Sequence, residues 1–351
     1  MPAPTKADAP PQSLPQEKPG WAGPVVVALV AAVPAVILLG IVLVYGVNVP
    51  YWDDWDFAEL LRKVESHTLT FSDLAAQHSE YRPLVLRLVF LGLAYTIGWH
   101  VKAEMLVTLA MACLVSWNVY VMARQSLRGS RTAALGLLVA ANLLIFAPIQ
   151  WEVWLWGAAM APMTPNVFVT GSLALVSSRL RTTPKALLAI LLATVGTWTF
   201  APAMYCWLGA LVVLAVSAWD ELWKRKWLIG LWLAAAAANL VLYFHDYVKP
   251  SYHPRLDEAI NRPGAAVQYF LAFLGSPLAR VFSEWGPEVL AAAEVIGVAM
   301  LMLVLGGAVY VWRRRRSALL ARQAVPWLVL AGFVLAGDAA ATVARLGFGV
   351  P

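Results

Sequence analysis

The strongest constraint on this chain is a succession of apolar runs, each long enough to cross a lipid bilayer or nearly so, separated by polar connectors. A helix rises about 1.5 Å per residue, so about 20 apolar residues span the hydrocarbon core. The runs are 25–46, 103–123, 132–148, 164–178, 186–200, 203–219, 227–245, 288–312 and 324–343. With 61% of 351 residues hydrophobic and 13% charged, the chain has too little charge to cover a water-facing surface. Seventeen Trp and eleven Tyr suit two water–lipid boundaries. Pattern and composition predict an all-α integral membrane protein with about nine transmembrane helices.

A tenth run, 84–98, is short and carries Arg87, with Arg82 just ahead of it. The positive-inside rule decides its placement. Four connectors are strongly basic: Arg124, Arg128 and Arg131; Arg179, Arg181 and Lys185; Lys224, Arg225 and Lys226; and Arg313 to Arg316 with Arg322. Only Asp220 and Glu221 oppose them. If 84–98 lies along the outer boundary without crossing, all four connectors are cytoplasmic. Residues 1–23 then form a disordered cytoplasmic tail, rich in Pro, Ala, Gln and Lys. Residues 24–351 form a single transmembrane domain, with outer loops at 48–102 and 246–287. The run 25–45 is too long for a signal-peptide core and reads as a retained anchor.

The same placement gathers acidic residues in the two outer loops and leaves the cytoplasmic loops as plain connectors. The net charge of +6 is orientation charge in short loops, which argues against a nucleic-acid partner. Cys113 and Cys206 lie in separate apolar runs and read as small buried hydrophobes.

The first outer loop carries the densest chemistry. Pro50 stops the first span, and Trp52 and Trp55 anchor the turn at headgroup level. Asp53, Asp54 and Asp56 repel one another unless a cation joins them. Asp54 and Asp56 suit a solvated helix start, whereas Asp53 is harder to explain by solvation. Phe57, Leu60, Leu61 and Val64 mark an amphipathic interfacial helix. Ser72 can cap a short helix and Pro83 can start the next. Between them His78, Glu80 and Arg82 alternate along an extended link. There they can bind a phosphate and position a hydroxyl, or Glu80 can form an ion pair with Arg82 or Arg87 that only fixes the loop.

An Asp pair just beyond the first span, two juxtamembrane helices and a basic residue before Pro resemble the GT-C glycosyltransferases. The run Val49-Pro-Tyr-Trp-Asp-Asp-Trp-Asp, then Thr68-Leu-Thr-Phe-Ser-Asp-Leu and Gln77-His-Ser-Glu-Tyr-Arg, is similar to a bacterial branch near the protein-mannosyltransferase and aminoarabinose-transferase families. Gln150-Trp-Glu-Val-Trp-Leu-Trp-Gly resembles it too, with Ala158 and Ala159 where that branch has a more polar pair. The resemblance implies a polyprenyl-phosphate-linked sugar as donor and a glycan, lipid or protein acceptor. It places the active loop outside the bacterial cytoplasmic membrane. By the same carry-over Asp53 is the loop carboxylate that acts as base or orients the acceptor, with Asp54 beside it, and Arg82 meets the donor phosphate. Arg255 and Arg280 are further candidates for that phosphate. A divalent metal, if used, would take Asp53 and Glu80 as ligands. The resemblance also implies more helices after the last span. Because this chain stops at Pro351, a non-catalytic truncated relative stands as an alternative, as does a flippase of a lipid-linked saccharide.

Other residues carry weaker signals. Glu152 sits among Trp151, Trp154 and Trp156, which form an aromatic belt or a sugar-stacking surface. Glu294, Asp338 and Arg345 are ionisable groups at the ends of the last two spans, with Asp338 and Arg345 spaced for an ion pair. Residues 268–280, interrupted by Gly275 and Pro277, predict a re-entrant or interfacial helix.

Overall fold

The computed structural model describes residues 22–127, 130–279 and 286–349. Helix α1 (Ala22–Tyr45) ends ahead of Pro50. A 3-10 turn, Trp52–Trp55, leads into α2 (Asp56–Glu65), α3 (Phe71–Ala75) and α4 (Leu84–Ile97). The chain continues through α5 (Val101–Ser126), α6 (Arg131–Ile145), α7 (Trp151–Trp154), α8 (Met160–Val176), α9 (Thr182–Thr197), α10 (Tyr205–Lys224) and α11 (Lys226–Phe244). It ends with α12 (Glu258–Asn261), α13 (Pro263–Ala279), α14 (Pro287–Arg313) and α15 (Ala318–Arg345). Among the described residues there is no β-strand.

Eight helical segments among the described residues are long and apolar enough to cross a membrane, as an all-α, multi-pass membrane protein requires. Helix α9, expected as a ninth crossing, has 16 residues, about 24 Å of helix. It still runs from one end of the bundle to the other. Lys185 at its start shares a cavity with Arg322, while the Trp198 carbonyl just past its end accepts from the Val85 N–H at 3.0 Å. Helix α4, expected not to cross, has 14 residues.

Leu, Val and Trp side chains cover the outside of the bundle, as a lipid-facing surface demands. Inside, small and polar residues let helices approach and hydrogen-bond across. Asn142 on α6 donates to the Ala31 carbonyl at 2.7 Å, and its side-chain oxygen accepts from Ser116 at 2.7 Å, which ties α1, α5 and α6 together. Asn118 joins α5 to α8 through Thr170 at 3.1 Å. The Trp207 indole donates to Thr197, and that of Trp232 donates to the Trp207 carbonyl. Cys206 is buried, whereas Cys113 is exposed on the outside of the bundle, and both are free thiols.

The stretch expected to break at Gly275 and Pro277 is instead continuous up to Ala279. Gly275 lies against the Ala293 carbonyl and Gly297 against the Leu271 carbonyl, closer than any Cβ would permit. The glycine therefore seats α13 antiparallel on α14 rather than interrupting it. Helix α10 bends at Ala218 (φ −147°, ψ 32°), next to the boundary expected at Trp219.

Candidate functional site

The site is built at the end of the bundle where the two expected outer loops meet. Gln77 on the first loop donates to the Val248 carbonyl at 2.6 Å and accepts from the Val248 N–H at 3.0 Å. Tyr252 and Ser79 join hydroxyls at 2.9 Å. Exposed Tyr51, Trp52, Trp55 and Phe71 surround the first loop, as residues at a water–lipid boundary do.

The acidic run divides by position along one turn. Trp52 is left-handed (φ 52°), and the 3-10 turn that follows points Asp54 inward, where it is fully buried. Its carboxylate accepts from the Tyr51 N–H at 3.0 Å and from the Ala158 N–H at 2.7 Å. Burial pushes the Asp54 carboxyl above its ordinary value, against the pull of these two amides. A Cβ on Gly157 would lie 3.1 Å from the Asp54 carboxylate and press on that of buried Glu104, so the glycine passes close between the two carboxylates. The Trp156 indole closes this junction by donating to the Tyr51 carbonyl at 3.1 Å. Solvation at a helix start, expected for Asp54, is therefore corrected: Asp54 is the buried member of the run.

Asp53 and Asp56, three residues apart, share the opposite face and are half exposed or more. His78 stands between them, with Nε2 3.8 Å from Asp53 and Nδ1 3.4 Å from Asp56. These groups line a cavity of about 190 Å³. Arg87 and Lys63 also line it, with Leu86, Met160 and Ala161 providing apolar wall. One Arg87 nitrogen donates to the carbonyls of Asp73, Leu74 and Ala76 at 3.1, 2.9 and 2.6 Å. Lys63 holds Asp73 at 2.6 Å, which lowers that carboxyl to about 2 with help from Thr70. The Thr70 hydroxyl caps α3, in place of the expected Ser72, because it accepts the Asp73 N–H while Asp73 bonds back. Burial and nearby Asp53 push the Tyr81 phenol up, so it stays a proton donor on the same wall.

The extended link expected at His78, Glu80 and Arg82 is a tight turn. His78 and Tyr81 exchange backbone hydrogen bonds at 2.8 and 3.0 Å, and Ser79 is left-handed (φ 49°). The turn sends His78 into the cavity and Glu80 to its other side. Glu80 lies 2.7 Å from buried His253, out of line for a hydrogen bond, and accepts from Arg345 at 3.0 Å. The ion pair considered for Glu80 is thus real, but its partner is Arg345 rather than Arg82 or Arg87. Glu80 does not join Asp53, which corrects the expected metal pair. Arg82 donates to the carbonyls of Tyr243, Ala75 and His245 and so clamps the two loops together. It lies outside the lining of the Asp53 cavity, and Arg87 is the guanidinium that lines it.

The remaining expectations fall elsewhere. Arg255 is exposed and pairs with Asp257 at 2.7 Å. Glu152 is exposed on α7, while the neighbouring Trp154 is fully buried and donates to the Ala147 carbonyl. Arg280 lies outside the described residues. Asp338 is buried without a hydrogen bond at one oxygen, and Arg345 bonds Glu80 instead. Sequence reasoning passed over Asp56, Lys63 and Tyr81. The Asp53–Asp56 spacing of three, one turn of 3-10 helix, was the available signal for Asp56. Compared with known proteins, the chain matches no family model, no curated protein and no solved structure.

Proposed function

We propose that this protein transfers a sugar from a polyprenyl-phosphate donor to a hydroxyl on an envelope glycan, lipid or protein. The observation that carries this reading is one cavity at a membrane boundary lined by Asp53, Asp56 and His78 together with Arg87 and Lys63. Breaking a sugar–phosphate bond needs a proton acceptor beside the attacking hydroxyl and a cation beside the departing phosphate. The resemblance of the first loop to the GT-C glycosyltransferases supports the same reading.

In the reaction, the acceptor oxygen attacks the anomeric carbon and its proton passes to Asp53. His78 orients that carboxylate and Asp56. The carbon–oxygen bond to phosphate breaks with inversion, and the leaving oxygen keeps the electron pair. Among the described residues the second terminal nitrogen of Arg87 makes no hydrogen bond, so it has donors to offer that anion. In the proposed topology α9 is the ninth crossing, because only then do all the basic connectors share the cytoplasmic face. The cavity then opens on the outer face of the bacterial cytoplasmic membrane.

Asp53, Asp56 and His78 also offer one ligand atom each, all within 4.8 Å of one another. This set fits a divalent cation whose other oxygens come from water and the donor phosphate. Such a cation would supply charge to the phosphate. The test uses proteoliposomes with labelled polyprenyl-phosphate sugar and an added acceptor. Transfer by the native chain, abolished by Asp53→Asn, supports the proposal, and loss on chelation identifies the cation. Label that crosses the bilayer without transfer would establish the flippase instead.

A further inference from the structure

The basic end of the bundle, expected to hold plain connectors, contains two adjoining polar cavities of about 120 and 310 Å³. It lies far from the carboxylates. Helix α5 links the two ends, and the 22 residues from Glu104 to Ser126 cover about 33 Å.

Lys185 and Arg322 line the smaller cavity, Arg124 and Arg179 line the larger, and Gln125 and Ser177 line both. Among the described residues no carboxylate lines either one. Lys185 is only 8% exposed, and the one hydrogen bond described for its ammonium goes to the Val176 carbonyl at 3.2 Å. A buried ammonium has three protons to place, and two like charges facing one small chamber repel unless an anion lies between them. The Ser177 hydroxyl and the Gln125 side-chain oxygen are also buried without hydrogen-bond partners. Buried polar atoms left without partners are rare in proteins, and two of them beside a buried cation point to a ligand.

We infer that this end of the bundle is a binding site for a phosphate group, held by Lys185 and Arg322 with the Ser177 hydroxyl donating to it. The Gln125 oxygen then accepts from a protonated phosphate oxygen or a hydroxyl of the ligand. Helix ends at a membrane boundary meet such groups as lipid headgroups, and basic pockets between helices recognise them. Arg124 and Arg179 extend the positive surface toward the larger cavity and favour a net anionic headgroup over a zwitterionic one. The inference is independent of the reaction proposed for the opposite end.

The test is native mass spectrometry of the full chain in detergent, titrated with phosphatidylglycerol or with phosphatidylcholine. The native chain retains phosphatidylglycerol more strongly than phosphatidylcholine. Lys185→Gln and Arg322→Gln each weaken that retention about tenfold, the loss of one charge-assisted hydrogen bond. Asp53→Asn leaves it unchanged. Displacement of the lipid by inorganic phosphate identifies a site for free phosphate, and resistance to displacement identifies a headgroup site. If Lys185→Gln fails to fold, Arg322→Gln decides alone. Retention by folded variants equal to that of the native chain would overturn the inference.

Discussion

The two sides of the turn 78–81 are built from the same residue types and differ in how their polar atoms are used. On the cavity side His78 stands 3.8 Å from Asp53 and 3.4 Å from Asp56, and the two carboxylates are half exposed or more and loosely paired. On the clamp side Arg82 donates to three carbonyls from two segments, and Glu80 lies within 3.0 Å of both His253 and Arg345. A group that hydrogen-bonds from one loop to another holds loops together. One with protons or lone pairs to spare can serve a substrate. Neighbours in sequence thus separate into buried, bonded groups and cavity-facing ones, as Asp54 and Asp53 do across a single peptide bond.

The largest effect that would sharpen this contrast is on activity. Asp53→Asn should lower sugar transfer by about 10²- to 10⁴-fold, the usual contribution of a general base, with no change in thermal unfolding. An unchanged rate would break the contrast at its strongest point. Arg82→Gln should do the reverse. Loss of its carbonyl bonds costs about 1.5–3 kcal/mol in detergent unfolding, while the rate per folded molecule changes little. Asp54→Asn follows at about 1–3 kcal/mol, because an amide can accept from only one of the two backbone donors and turns its NH₂ toward the other. Glu80→Gln is smaller, about 0.2–1 kcal/mol, because its Arg345 partner is partly solvated; a double-mutant cycle with Arg345→Gln measures it.

The smallest effect is a pH dependence. Lys63 and Thr70 hold the Asp73 carboxyl at about 2, below its ordinary 3.8. Its stabilising effect is therefore complete above 3.8 and fades as the pH falls toward 2. Asp73→Asn should remove that dependence from the α2–α3 segment, measured as its proteolysis rate across the same range. A curve that keeps its shape would exclude the Lys63 tie.

Much of the architecture was legible because lipid leaves few choices. Apolar runs must become helices, and each of the nine expected runs holds a helix, eight of them long and apolar enough to cross a membrane. The first loop was also legible as the place where aromatic and acidic side chains gather. The roles inside it were not. The solvation argument and the family resemblance singled out Asp53 and left Asp56 as a solvated helix start, although a 3-10 turn places the two on one face. Alternation along an extended strand grouped His78, Glu80 and Arg82, but the left-handed Ser79 folds that strand back and parts them.

What the sequence determined by itself was the helical, lipid-embedded character of the chain and the segregation of its basic connectors. Both follow from local rules, the length of an apolar run and the charge beside it. What only the tertiary structure decided was which carboxylate is buried, which guanidinium lines the cavity, and that the basic connectors enclose one of their own. These depend on segments about 100 residues or more apart, through contacts such as Asp54 with Ala158 and Arg82 with Tyr243 and through the cavity that Lys185 and Arg322 line together. No local pattern encodes such contacts, because each exists only when two helix ends have been brought together by the packing of the bundle.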